Sequence, residues 1–112
     1  MTERDDQQAL FQWAALAANI DPRLHMLVAI PNGQYRPGQR LEPGTKRGFP
    51  DMVLFVPMHQ WHGLAIELKY GKNKPTKAQD DWIIRLRVSG YRARVCYGFA
   101  EAVNAIEDYL EG

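Results

Sequence analysis

The chain opens on a helical pattern. Leu10, Phe11, Trp13, Ala14, Leu16 and Ala17 recur at intervals of three and four, which predicts a helix over 3–18 with Thr2 as its cap. Asp21-Pro22 ends it. The apolar run from Leu24 to Ile30, closed by Pro31-Asn32-Gly33, predicts a first strand. From 33 to 50 the pattern lapses. Gly33, Gly38, Gly44 and Gly48 are interspersed with Pro37, Pro43 and Pro50, so this stretch predicts a long loop, and such loops in small domains commonly carry function. Strand patterns return at Asp51–Val56 and Gly63–Lys69, with 57–62 as their hairpin connection.

A polar segment, 70–75, follows. Thr76 caps a second helix running to about Ser89 and stopped by Gly90. Trp82, Ile83 and Leu86 face inward on it, with Ala78 and Val88 as further candidates. Tyr91–Tyr97 reads as a fourth strand. Residues 99–110 read as a last helix with Ala102, Val103, Ile106, Tyr109 and Leu110 inward. The order αβββαβα predicts an α/β fold, a four-stranded mixed sheet flanked by helices. The helix between strands three and four makes that pair parallel, through a right-handed crossover.

Composition narrows the picture. With 112 residues, the chain predicts a single domain over 1–112. Cys96 is the only cysteine, which excludes an internal disulfide and points to a reducing compartment. The polar, acidic start Met-Thr-Glu-Arg-Asp-Asp is unlike a signal peptide, and no apolar run approaches the ~20 residues that span a bilayer. A cytoplasmic location with no membrane partner is expected. The net charge of +1 excludes a uniformly basic coat, but its distribution is uneven. Residues 34–47 carry four basic residues against one acidic, and residues 69–94 carry eight against two. Both termini are acidic.

The chemistry lies between those basic segments. In Gly63-Leu-Ala-Ile-Glu67-Leu-Lys69, Leu64, Ile66 and Leu68 share one face of a strand, and Glu67 and Lys69 share the other. Asp51 opens the preceding strand. An antiparallel hairpin sets the start of one strand against the end of the next, so Asp51 falls near Glu67 and Lys69. Two carboxylates and an ammonium then converge at one end of a sheet, a pairing that suits a hard cation such as Mg²⁺. The competing reading is a surface ion pair between Glu67 and Lys69.

Pro50-Asp51 followed by Glu67-Leu-Lys69, on an αβββαβ frame, resembles the PD-(D/E)xK nuclease superfamily. Gly48-Phe-Pro-Asp51-Met-Val-Leu, Gly63-Leu-Ala-Ile-Glu67-Leu-Lys69, Lys77-Ala-Gln79-Asp-Asp-Trp82 and Gly90-Tyr-Arg-Ala-Arg-Val-Cys96 resemble the VRR-NUC family within it, as does the pair Glu3 and Gln7 on the first helix. The resemblance covers nearly the whole chain and is to the stand-alone type of phages and bacteria. It implies a restriction-endonuclease-like core. Asp51 and Glu67 would be metal ligands, the Leu68 backbone carbonyl a further ligand, Lys69 the catalytic lysine, and Gln79 a catalytic neighbour. Glu3 would complete the metal site from the helix. It implies Mg²⁺ as cofactor, with Mn²⁺ able to substitute. The expected activity is a structure-specific DNA endonuclease similar to Holliday junction resolvases, acting as a homodimer on four-way junctions. The alternatives are a catalytically inactive nucleic-acid binding module of the same fold, or a nuclease or nickase on flapped or linear DNA.

The remaining residues have two readings each. Arg36, Arg40, Lys46 and Arg47 precede Asp51, and Lys72, Lys74 and Lys77 follow the Glu-x-Lys strand. They are either solvated loop charges or contacts to DNA phosphates, and their position beside a phosphodiester site favours the second. Trp61, in the hairpin connection, either packs or stacks on a base. His25, His59 and His62 lack zinc-ligand spacing with one another and with Cys96, which reads as a buried small residue.

Overall fold

A computed structural model describes residues 2–31 and 40–112. Arg36, one of the expected DNA contacts, lies outside the described residues. The elements are α1 (Glu3–Ala17), a 3-10 turn (Pro22–Met26), β1 (Leu27–Ala29), β2 (Met52–Leu54), β3 (Leu64–Lys69), α2 (Lys77–Val88), β4 (Arg92–Tyr97) and α3 (Phe99–Glu111). The sheet order is β1-β2-β3-β4, with the first two pairings antiparallel and β3–β4 parallel.

Local chemistry sets the boundaries. Thr2 and Thr76 each close a capping box, with Asp5 and Gln79 as the reciprocal partners. Such caps contribute about 1 kcal/mol apiece. The expected strand over Leu24–Ile30 begins as a 3-10 turn. Asp21 accepts a hydrogen bond from the Arg23 N–H, Pro22 sits at the first helical position, and only Leu27–Ala29 remain extended. The chain buries Leu24 through that turn. The 57–62 connection closes on reciprocal hydrogen bonds between Met58 and Trp61.

Two cores sandwich the sheet. Met52, Leu54, Leu64, Ile66, Leu68 and Cys96 face the larger one, which Leu10 and Ala14 of α1 and Ala102, Ala105 and Ile106 of α3 complete. The opposite face presents Val53, Ala65 and Ala93 to Ile83 of α2. The alanines leave room for that helix to lie close. Two expected core positions are instead exposed: Leu16 at 73% and Val88 at 84%. Both fall just off the stripe of their helix that meets the sheet, and chain periodicity alone does not define its edges. Trp61 is half-buried, packed on the larger core, so the packing reading holds.

Candidate active site

β3 is the central strand, and all six of its residues are buried. Four of them are apolar, and the other two are Glu67 and Lys69. Burying a carboxylate and an ammonium costs several kcal/mol before any mutual attraction is counted. The surface ion-pair reading therefore fails. Glu67 is 3% exposed and Lys69 8%, and their charged atoms stand 4.0 Å apart.

The β2–β3 register sets Met52 against Ile66, so one step further the Asp51 position faces Glu67. Asp51 is pinned from two sides. Its backbone carbonyl accepts from Ile30 N–H at 2.8 Å, continuing the β1–β2 ladder past its last pair. Its side-chain Oδ2 accepts from Leu68 N–H at 2.7 Å. An extended residue directs its N–H and C=O to the same side of the strand. The Leu68 carbonyl therefore also points toward the Asp51 side, whereas the neighbouring Lys69 carbonyl accepts from Gly98 on the other side.

The segment leading into Asp51 is docked on α2. Phe49 packs edge-on against Trp82, with ring centroids 5.2 Å apart, and Pro50 is fully buried. Gly48 has φ +85°, and a Cβ there would lie 2.6 Å from the Ala78 carbonyl carbon. Both facts require glycine. Gly48 and Phe49 are thus positioning residues whose role sequence reasoning did not single out. The dense Gly/Pro pattern marks the loop but does not tell which glycine touches a helix.

The electrostatics single out Glu67. Its pKa is pushed up to about 9, first by burial, then by the negative charge of Asp51 and by a hydrogen bond that the protonated form donates to Asp51. Lys69 acts in the opposite direction, and Glu3 adds a further upward push. Oε1 of Glu67 is buried without a hydrogen-bond partner among the described residues. A buried carboxylate oxygen with nothing to bind, beside a second carboxylate, is an electrostatic arrangement that a cation would relieve.

The donor set agrees with a hard cation. Asp51, Glu67 and the Leu68 carbonyl supply only oxygen, and Mg²⁺ favours one or two carboxylates while retaining waters. Among the described residues no group of three or more His, Cys, Asp or Glu side chains is placed to hold a metal ion, so Glu3 is not brought into a ligand set with Asp51 and Glu67. Glu3 shares a solvent-open groove of about 800 Å³ with Asp51, Leu68, Gln7, Gln8 and Gln12. Asp6, not singled out in the sequence, is buried on the inward stripe of α1 with Leu10. An acidic residue in a first turn ordinarily reads as complementing the helix dipole, which masks such a position.

Gln79 is half-buried in the first turn of α2, where its Oε1 accepts from Thr76 N–H at 2.9 Å. No hydrogen bond among the described residues joins it to Asp51, Glu67 or Lys69. Arg40, Lys46 and Arg47 are exposed in the segment before Asp51. Lys72 and Lys74 are exposed in the loop after Lys69, which Tyr97 ties down by donating to the Asn73 carbonyl at 2.9 Å. Lys77 pairs with Asp81 at 2.9 Å on the surface of α2.

A mixed sheet in αβββαβα order, with an aspartate at the head of β2 and a Glu-x-Lys at the end of β3, is a restriction-endonuclease-like core. The VRR-NUC domain family model matches residues 31–100, and the chain belongs to that family of nuclease-type domains. Asp51, Glu67, Leu68, Lys69 and Gln79 fall inside the matched stretch, and Glu3 falls outside it. A solved structure described as a VRR_NUC domain protein is similar over 99% of this chain and 89% of its own, with a TM-score of 0.78 and 24% identity, a likeness of fold. No curated protein matches the chain. No helix among the described residues is long and apolar enough to cross a membrane.

Proposed function

We propose that the chain is a Mg²⁺-dependent, structure-specific DNA endonuclease of the Holliday junction resolvase type. The observation that carries this reading is the partnerless buried oxygen of Glu67, set beside Asp51 with the Lys69 ammonium 4.0 Å from the other oxygen. Asp51, Glu67 and the Leu68 carbonyl would hold the cation, and Glu3 would approach from α1. Mn²⁺ would substitute on the same oxygen donors. Bound there, the cation supplies neutralisation of phosphate charge and a lowered pKa for a ligated water.

The chain's own residues do the rest. Lys69 is buried and confined, so its ammonium stands ready to orient the attacking water or to stabilise charge on the phosphorus-centred transition state. Gln79 borders the site from α2. Arg40, Lys46, Arg47, Lys72, Lys74 and Lys77 would contact phosphates on either side of the scissile bond, positioning DNA without reading sequence. The groove beside Asp51, lined by Gln7, Gln8 and Gln12, gives a strand room to lie. Cutting both strands of a four-way junction symmetrically requires two such sites, which a two-fold homodimer supplies.

The test is cleavage of four-way junction, flap, nicked, single-stranded and linear duplex DNA, with and without Mg²⁺ or Mn²⁺. Metal-dependent cleavage that favours the junction is expected, and Lys69→Ala should lower it by about 10²–10³-fold. Equal rates on junction and linear duplex would refute the resolvase assignment. Binding without cleavage in either metal would leave a DNA-binding module.

A further inference from the structure

The basic charge of the chain is not confined to the loops around the catalytic end. β4 is an outer strand of the sheet. Along it lies a second pocket, of about 410 Å³, lined by Trp61, Arg87, Tyr91, Arg92, Ala93 and Arg94. Two of its three guanidinium groups are held in place. Arg87 reaches from α2 to the Ala93 carbonyl, donating from Nε at 3.0 Å and from a terminal nitrogen at 2.8 Å. Arg92 lies over the Trp61 ring at 4.8 Å from its centre, and Trp61 is itself packed against Tyr109. Among the described residues no carboxylate forms an ion pair with any of the three arginines.

This is an unusual arrangement for a surface with only a structural task. Three like charges lining one pocket repel, and among the described residues no ion pair offsets them. Ordered, uncompensated guanidinium forks suit a phosphodiester backbone, whose oxygens accept their paired donors. The half-buried Trp61 ring already carries Arg92, and the half-buried Tyr91 makes a T-shaped contact with His62, so the guanidinium groups are the chemistry this pocket offers. The pocket lies toward the other end of the strand from Lys69. Arg92 is level with Leu64 and Arg94 with Ile66, whereas Tyr97 is level with Lys69, so the two arginines stand five and three residues back from it. At ~3.3 Å per residue that is about 16 and 10 Å along the strand.

We infer that the Arg87–Arg92–Arg94 pocket is a second contact for the DNA backbone, gripping a segment of the substrate away from the scissile phosphate. It engages phosphates irrespective of sequence. Its offset along β4 from the level of Lys69 fits a branched substrate, in which one arm is cut while a neighbouring arm is held. This rests on the chain's acting on DNA, as proposed above.

The experiment is fluorescence anisotropy in EDTA with a labelled four-way junction and a labelled linear duplex over a range of salt concentrations. Wild type is compared with Arg92→Ala/Arg94→Ala, with the single variant Arg94→Glu, and with Arg92→Lys/Arg94→Lys. Each lost phosphate contact makes the slope of log affinity against log salt shallower by about 0.9. The double alanine variant should therefore flatten the junction slope by about 2, and the lysine variant should largely restore it. Arg94→Glu leaves the Arg92–Trp61 packing intact, so its weaker binding reports charge even if the double variant unfolds. Unchanged affinity and slope in Arg94→Glu, with wild type still cleaving DNA in Mg²⁺, would overturn the second contact and leave the nuclease reading standing. A flattened slope in the alanine variant, with a wild type that binds DNA but never cleaves it, would uphold the contact and defeat the nuclease reading. Arginine-dependent binding of poly-glutamate with an unchanged DNA slope would overturn the contact in favour of an acidic peptide.

Discussion

Glu67→Gln should make the metal-free protein more stable at pH 8 while removing its metal site. Folding moves the Glu67 pKa from an ordinary 4.5 to about 9. The folded chain thus holds a proton that the unfolded chain has released, and stability falls as pH rises. The contribution is fully present below pH 4.5 and is lost progressively up to about pH 9, where the folded group also ionises. At about 1.4 kcal/mol per pH unit, the loss by pH 8 is at most about 5 kcal/mol. A glutamine has no proton to hold, and its amide N–H can donate to Asp51. Thermal unfolding in EDTA should show the wild-type Tm falling between pH 5 and 9 and the variant nearly flat. At ~4 °C per kcal/mol, the variant should lead by well over 10 °C at pH 8. Added Mg²⁺ should raise the wild-type Tm and leave the variant unmoved. A wild-type Tm independent of pH across that window, or a variant no more stable than wild type at pH 8, would refute the argument that Glu67 is an uncompensated buried acid.

Two further outcomes test how the site is held. Gly48→Ala places a Cβ 2.6 Å from the Ala78 carbonyl carbon at φ +85°; urea unfolding should show a loss of about 2–3 kcal/mol, with cleavage reduced because Asp51 is carried on the same segment. Tyr109→Phe removes the buried hydroxyl that donates to the Val56 carbonyl at 2.6 Å. It should lower the urea midpoint by about 1–3 kcal/mol of stability without changing the m-value, and should leave cleavage intact under native conditions.

The sequence carried the topology because each element had its own local signature. Both capping boxes begin with a threonine followed three residues later by a partner, and the Glu-x-Lys triplet sits in an otherwise apolar strand. The hairpin then brought Asp51 to Glu67 by register alone. Within Leu24–Ile30 only Leu27–Ala29 are strand, because an apolar run does not disclose a 3-10 turn; the signal for that turn is the same Asp21-Pro22 pair that breaks the first helix. The burial of Glu67 and Lys69 was also illegible, since it depends on β3 lying between two partners and beneath helices on both faces. The arginine pocket was hidden for a similar reason. Arg87, Arg92 and Arg94 come from a helix and a strand with opposite orientations, and only the packed structure sets them around one cavity.

The cap of α2 has one more consequence. Thr76 presents an N–H to the side chain of Gln79, so the atom facing it must be the oxygen. The amide nitrogen is left turned outward with two hydrogens and no lone pair to offer. The nitrogen can meet a further partner only as a donor: it favours a phosphate oxygen or the lone pair of a water, and the amide has no means of taking a proton. The helix start thereby fixes the polarity of a neighbouring side chain, and it does so with the same hydrogen bond that begins the helix.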